Sequence, residues 1–527
     1  LDPEFDFIST ATEYLRDEGY YEETARNLAQ QAGQQAQRTA EALFTVPPKA
    51  DDFFDRANRG DLHVDVTIED DSKVLDKLAM RIAYSVLLAV GVLSATGAVS
   101  GLTRLAHVHL LLVGWVCVTI LGAMTQFIPV WSNVALHSRR LATVTLWFVA
   151  VGVAGMAWSF SAGAFAWVHA WGGLALVGFW TAAYNLGRTL SRARPWDVTE
   201  RHFAVALAWF VVVPAFGLAL AMGYLTPVFA HLPVTRVRAV AAHATLAVFG
   251  IVLTTILGAM TQLAPMFTQT DVEGGDRHLQ RVEAVAYPAG VVALAAGRLV
   301  DSAVVARAGA ALVVVGVLAF AVVVARLLAT TRVEWTPMLS RYAVVAAALG
   351  LWSALAARAW VLDPVALALG RPALGDPLAR TAWFGPPAAP HLLFLGVVGF
   401  VVLGTLYHVV PFIVWVHRYS DRLGFESVPM IDDLYDDRIA RADFAATTGG
   451  GAVLVVATAV DFPTRIAVTG GVLATLGFAL FATNLLLVVR EHSARSLRGL
   501  LVSRLAGDGT VAGSTSDESP SSTDAAR

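Results

Sequence analysis

From residue 79 onward the chain is a succession of long apolar runs separated by short polar breaks. The runs fall near 79–100, 105–131, 141–163, 165–187, 203–225, 238–265, 282–300, 303–329, 341–362, 390–416, 445–461 and 465–490. Each approaches the roughly 20 residues that cross a hydrocarbon core. A backbone group left unpaired in lipid costs several kcal/mol, so uninterrupted runs of this length must be helices. The pattern predicts an all-α polytopic membrane protein with about 12 transmembrane helices over residues 79–490. The flanks read differently. Within residues 1–78, TATEYLRDEGYYEETARNLAQQAGQQAQRTAEALF patterns as two polar-faced helices and DLHVDVTIED alternates like a short strand. Residues 491–527 begin basic and turn Ser/Gly/Asp-rich, a composition expected to stay disordered in the cytoplasm. The chain begins at Leu1 rather than Met, so a further segment upstream is expected.

Composition agrees with the membrane class, at 56% hydrophobic and 15% charged residues. Charge adds orientation. Lysine is confined to Lys49, Lys73 and Lys77, ahead of the first span, so arginine decides. The loops on the side of both termini hold Arg139, Arg140, Arg188, Arg192, Arg194, Arg201, Arg326, Arg332, Arg418 and Arg422, while the opposite loops hold few, such as Arg236 and Arg380. Both termini are therefore expected in the cytoplasm, with the chain multi-pass in the cell membrane. A net charge of −3 is too near balance to imply a nucleic-acid partner. The single cysteine, Cys117, rules out internal disulfides and thiolate metal clusters.

The chain also repeats itself. LAHVHLLLVGWVCVTILGAMTQFIPV (105–130) is matched by AAHATLAVFGIVLTTILGAMTQLAP (241–265) and, more loosely, by PHLLFLGVVGFVVLGTLYHVVP (390–411). Anchored on Pro129, Pro265 and Pro411, the copies align without a gap through Gly114, Gly250 and Gly396, then Gly122, Gly258 and Gly404, then Gln126, Gln262 and His408. In this register His107 matches His243, with Ala389 third, and His109 matches His391, with Thr245 between them. The second glycines are 136 and 146 residues apart, about four spans, so each copy keeps its orientation. Three parallel four-helix pseudo-repeats are expected.

Ionisable groups inside a membrane mark function by default, and neutral imidazole ligates haem iron and copper. A lone histidine at a span end is as readily explained by interfacial water, but four in matched columns make His107, His109, His243 and His391 candidate metal ligands. Residues two apart on a helix point about 200° from each other, which predicts that His107 and His109 face separate sites. Arg104, Arg238 and Arg380 precede the histidines in the three copies, either snorkelling to the interface or binding cofactor carboxylates. His408, 17 residues beyond His391, is expected near the opposite face in a structural hydrogen bond. His169 is placed at the outer end of the fourth span, either lining the cofactor cavity or belonging to an interfacial Trp/His belt.

Histidines at the start of the second, sixth and tenth spans of a triplicated four-helix unit resemble subunit I of the haem-copper oxidase superfamily and its nitric-oxide-response (NnrS-type) relatives, over about 79–490. The resemblance implies a low-spin bis-histidine haem held by His109 and His391, and a second haem or a copper ion at His107 and His243. It implies electron transfer or nitric oxide and oxygen redox chemistry, an oxidoreductase if turnover occurs, and an electron donor such as a quinone or a small copper or haem protein. It departs from the pumping oxidases. The seventh span, RVEAVAYPAGVVALAAGRLV, has no histidine, and Ala247 stands where a redox tyrosine would follow His243. The spans read as almost free of carboxylates, with Glu283 facing a loop, so a proton-pumping oxidase is not expected.

LDPEFDFISTATEYLRDEGYYEE and FFDRANRGDLHVDVTIEDDSKVLDKLAMRIAYSVLLAVGVLS, within residues 1–100, resemble the C-terminal end of UbiB-type atypical kinases. No glycine-rich phosphate loop or catalytic Asp/Asn set accompanies them, so kinase activity does not carry over. Two competing expectations need no haem: a membrane transporter, and a non-catalytic assembly partner in quinone metabolism linked to the kinase-like segment.

Overall fold

The computed structural model describes residues 102–362, 382–423 and 426–492. The predicted span 79–100, the kinase-like segment, Arg380 and nearly all of the 491–527 tail lie outside these residues. The described residues are 84% helical without a strand, so helices alone meet the backbone's hydrogen-bonding demand. Among the described residues ten helices are long and apolar enough to cross a membrane, which makes the chain a multi-pass membrane protein. They are α1 (Arg104–Trp131), α2 (Arg139–Ser161), α4 (Val198–Met222), α5 (Arg236–Thr268), α6 (Gly275–Val300), α7 (Ala303–Ala329), α8 (Pro337–Val361), α9 (Ala389–Val416), α10 (Asp437–Ala459) and α11 (Thr464–His492). An eleventh helix, α3 (Val168–Leu190), is less apolar but runs antiparallel along α2: Val149 meets Gly178, Gly152 meets Ala175 and Gly155 meets Trp171.

Several helices begin earlier than hydropathy predicts, at 198 rather than 203, at 275 rather than 282, and at 437 rather than 445. Side-chain caps explain the first and the third. The Asp197 side chain accepts from the Glu200 backbone N–H at 3.0 Å while Glu200 reaches back to the Asp197 N–H at 2.9 Å, so α4 starts in a capping box. Asp436 caps α10 through the Arg438 and Ile439 N–H groups in the same way. The added first turns are polar, and hydropathy passes over them. Asp197→Ala is expected to cost about 1 kcal/mol, read as a lower midpoint of thermal unfolding in detergent.

Three tight hairpins, α2–α3, α6–α7 and α10–α11, are each sealed by a glycine at the point of closest approach. A Cβ on Gly152, Gly290 or Gly450 would stand 2.7, 2.5 or 2.4 Å from a backbone nitrogen of the facing helix. Small residues at such crossings let helices pack where lipid offers no hydrophobic drive. These contacts also give the three hairpins a common register.

Candidate functional site

Within α1, α5 and α9 the backbone loosens into π-helical turns over Leu110–Cys117, Leu246–Leu253 and Leu392–Gly399. Each follows directly on His109, Thr245 or His391, the members of one sequence column, and the spacing is again 136 and 146 residues. Such turns shift the helical phase and are frequent at functional sites.

Beside these turns lies a cavity of about 1570 Å³, larger than the roughly 300–1,000 Å³ of ordinary ligand pockets. Its wall is mostly apolar, with Met156, Phe160, Phe179, Ile251, Phe394 and Leu454 among its residues, and His107, His109, His243 and His391 all border it. His107 and His109, expected to face separate sites, border the same cavity. His169 does not line it, and its Nδ1 is buried without a partner.

The histidines differ in what holds them. The Leu105 carbonyl can only accept, so at 2.9 Å it takes the hydrogen on His109 Nδ1 and leaves the Nε2 lone pair free. The Thr458 hydroxyl donates to the Leu454 carbonyl at 2.7 Å, so its oxygen accepts from His391 Nε2 at 3.2 Å. His243 rests against Gly217, where a Cβ would lie 3.2 Å from its Cε1, and it comes within electrostatic range of His109. Nδ1 of both His107 and His243 is buried without a hydrogen-bond partner. Among the described residues no three His, Cys, Asp or Glu side chains converge on one point.

Eight residues beyond each hairpin glycine stands the neighbour of the 109/245/391 column. Phe160 lies 5.3 Å from the His109 ring centroid, Arg298 donates to Thr245, and Thr458 accepts from His391. One position thus carries a phenyl ring, a guanidinium and a hydroxyl.

Of the expected arginines, Arg104 reaches the cavity, Arg238 pairs instead with Asp301, and Arg380 lies outside the described residues. The register that aligns the histidines already places Val240, not Arg238, opposite Arg104. Arg236 and Arg358 border the cavity in its place. Arg236 is engaged with the Leu220 carbonyl at 2.6 Å and with the Tyr224 ring, whereas Arg104 and Arg358 have no ion-pair partner among the described residues.

At the opposite end of the bundle, the expectation of spans almost free of carboxylates is corrected. Glu283 does not face a loop: it is 1% exposed and bonds His202 Nε2 at 2.9 Å. Asp443 is fully buried against Arg341. Both acids lie seven residues before a hairpin glycine, with Thr145 at the corresponding place in α2. Predicted span boundaries at 203 and 445 had cut off His202 and Asp443. His408 lies edge-on to Phe267 at 4.8 Å and beside Phe412, without a hydrogen-bond partner among the described residues, so aromatic packing replaces the expected structural hydrogen bond.

No protein-family model matches this chain, and no curated protein is significantly similar to it in sequence.

Proposed function

We propose that this chain is a haem-binding membrane protein on the plan of haem-copper oxidase subunit I, with twelve helices in three parallel four-helix repeats and both termini in the cytoplasm. The observation that carries the reading is that four histidines from three helices, in matched register, border one large apolar cavity. The repeat is supported by the three π-helical turns at matched register, 136 and 146 residues apart, and by the matched neighbours Phe160, Arg298 and Thr458. In this reading α1–α3 complete the first repeat, α4–α7 form the second and α8–α11 the third.

The residues present suit a haem. The wall is mostly apolar, His109 offers a free Nε2, and His107 and His243 hold nitrogens that the protein leaves unpaired. His109, through Nε2, and His391, whose Nε2–H is held by Thr458 and whose Nδ1 keeps the lone pair, would hold a haem iron; His107 and His243 would hold a second haem or a copper ion, and Arg104 and Arg358 would meet cofactor carboxylates. When bound, haem supplies one-electron transfer and affinity for nitric oxide or oxygen. The chain contributes ligation, burial and fixed cations. Its most buried acids, Glu283 and Asp443, are tied to His202 and Arg341, while Asp276 pairs with Arg326 and Glu200 accepts from Ser132, which supports electron transfer or gas-related redox chemistry without proton pumping.

The test is the absorption spectrum of the detergent-purified protein made in haem-replete cells and titrated with haemin. A Soret band with sharp bands on reduction, at one or more haems per chain, is expected. Protein that carries no haem and takes up none would defeat the reading and favour transport or assembly.

A further inference from the structure

Three consecutive backbone carbonyls, of Ala382, Trp383 and Phe384, each accept a hydrogen bond from a buried side chain. The donors are Trp360 Nε1 at 2.7 Å, Arg298 Nη2 at 2.9 Å and Trp352 Nε1 at 2.8 Å. Trp352 and Trp360 are fully buried and Arg298 is 1% exposed. The donors stand on α6 and α8, so the segment entering α9 is held at three successive points from two helices. Gly385 then turns the chain with φ +109°, and a Cβ there would come 2.7 Å from the Ala389 Cβ, so the turn accepts only glycine without strain. The result is a rigid wall joined directly to the helix that carries His391.

What this wall presents is Trp383. Its ring borders the cavity, yet its Nε1 is buried with no partner, whereas the N–H groups of Trp352 and Trp360 are both satisfied. An indole N–H only donates, and leaving it buried and unpaired is costly. Arg104, Arg236 and Arg358 border the same cavity against a single carboxylate, Asp461, so positive charge is in excess and an anionic acceptor is favoured over a neutral one.

We propose that Trp383 donates a hydrogen bond to a carboxylate oxygen at the edge of the molecule held in the cavity, and so sets that molecule's orientation. The proposal rests on the haem reading above and deepens it by assigning one polar contact. The loop's three clamps then have a purpose beyond folding, because a donor on a mobile loop would select no orientation.

The test uses the full chain in lipid nanodiscs, titrated with haemin and with haemin dimethyl ester, whose carboxylates are masked. Trp383→Phe keeps the ring and removes the N–H. It is expected to weaken haemin binding about tenfold, the scale of one hydrogen bond to a charged group. The same substitution should leave affinity for the diester and the melting of ligand-free protein unchanged. Equal haemin affinity in the two proteins, or an equal loss for the diester, overturns the proposal. Wild-type protein that binds neither compound removes the haem reading and the proposal together, a result distinct from haemin binding that ignores the substitution. If the variant does not fold, wild-type protein labelled with 15N-tryptophan decides. One indole N–H resonance should move with zinc protoporphyrin and not with its dimethyl ester, and an unmoved resonance overturns the assignment.

Discussion

Replacing His109 by alanine is expected to abolish the low-spin haem signal while leaving the protein folded. The Leu105 carbonyl fixes the ring as the Nδ1–H tautomer, so the free Nε2 faces a site where water competes poorly. Alanine removes that lone pair, and His107, two residues back, points about 200° away around the helix. His391→Ala is expected to do the same from α9, and His243→Ala to preserve the signal. The measurement is the reduced-minus-oxidised spectrum together with haem stoichiometry in nanodiscs, with the ligand-free melting curve as control. Full haem content in His109→Ala would end the account. Loss in His243→Ala with retention in His391→Ala would move the second ligand to α5, where His243 already lies within electrostatic range of His109.

The second large effect is expected far from the cavity, at Arg341 and Asp443. Arg341 pairs with Asp443, donates to the Pro337 carbonyl at 2.8 Å and the Ala440 carbonyl at 3.1 Å, and stacks 4.3 Å from the Tyr407 ring. The Tyr407 hydroxyl donates to Asp443 and accepts from Asn484 Nδ2 at 3.0 Å, while Asn484 also bonds both backbone groups of Asp436 at 2.9 Å. One polar network thus ties α8, α9, α10 and α11 together. Deleting one charge strands the other, so Asp443→Ala or Arg341→Ala is expected to cost about 3–5 kcal/mol. The double variant Arg341→Met, Asp443→Leu should recover most of that loss, because an apolar pair leaves no charge unpaired. Thermal unfolding followed by tryptophan fluorescence reads the effect. Single variants that melt with the wild type would show that the network contributes little.

Much of this was legible in the chain, for identifiable reasons. Span positions follow from runs of apolar residues, and the repeat register from Gly122, Gly258 and Gly404 placed His109 and His391 in one column before any coordinates. Other features were hidden. His202 and Asp443 sit in polar first turns that hydropathy trims away, and their partners Glu283 and Arg341 are 81 and 102 residues distant along the chain. Trp383 lay in what read as a loop. Its importance comes from three donors on two other helices.

By itself the sequence determined a multi-pass helical protein, because lipid leaves the backbone no other way to pair its polar groups. It also determined which histidines share a register, since periodicity is a property of the chain alone. Only the tertiary structure decided that these imidazoles border one cavity, that Arg238 turns to Asp301 while Arg236 and Arg358 reach the cavity, and that the buried acids are paired. The reason is physical: helical phase, π-helical turns and glycine-limited crossings set which faces meet, and those depend on contacts between helices that hydropathy along one segment does not encode.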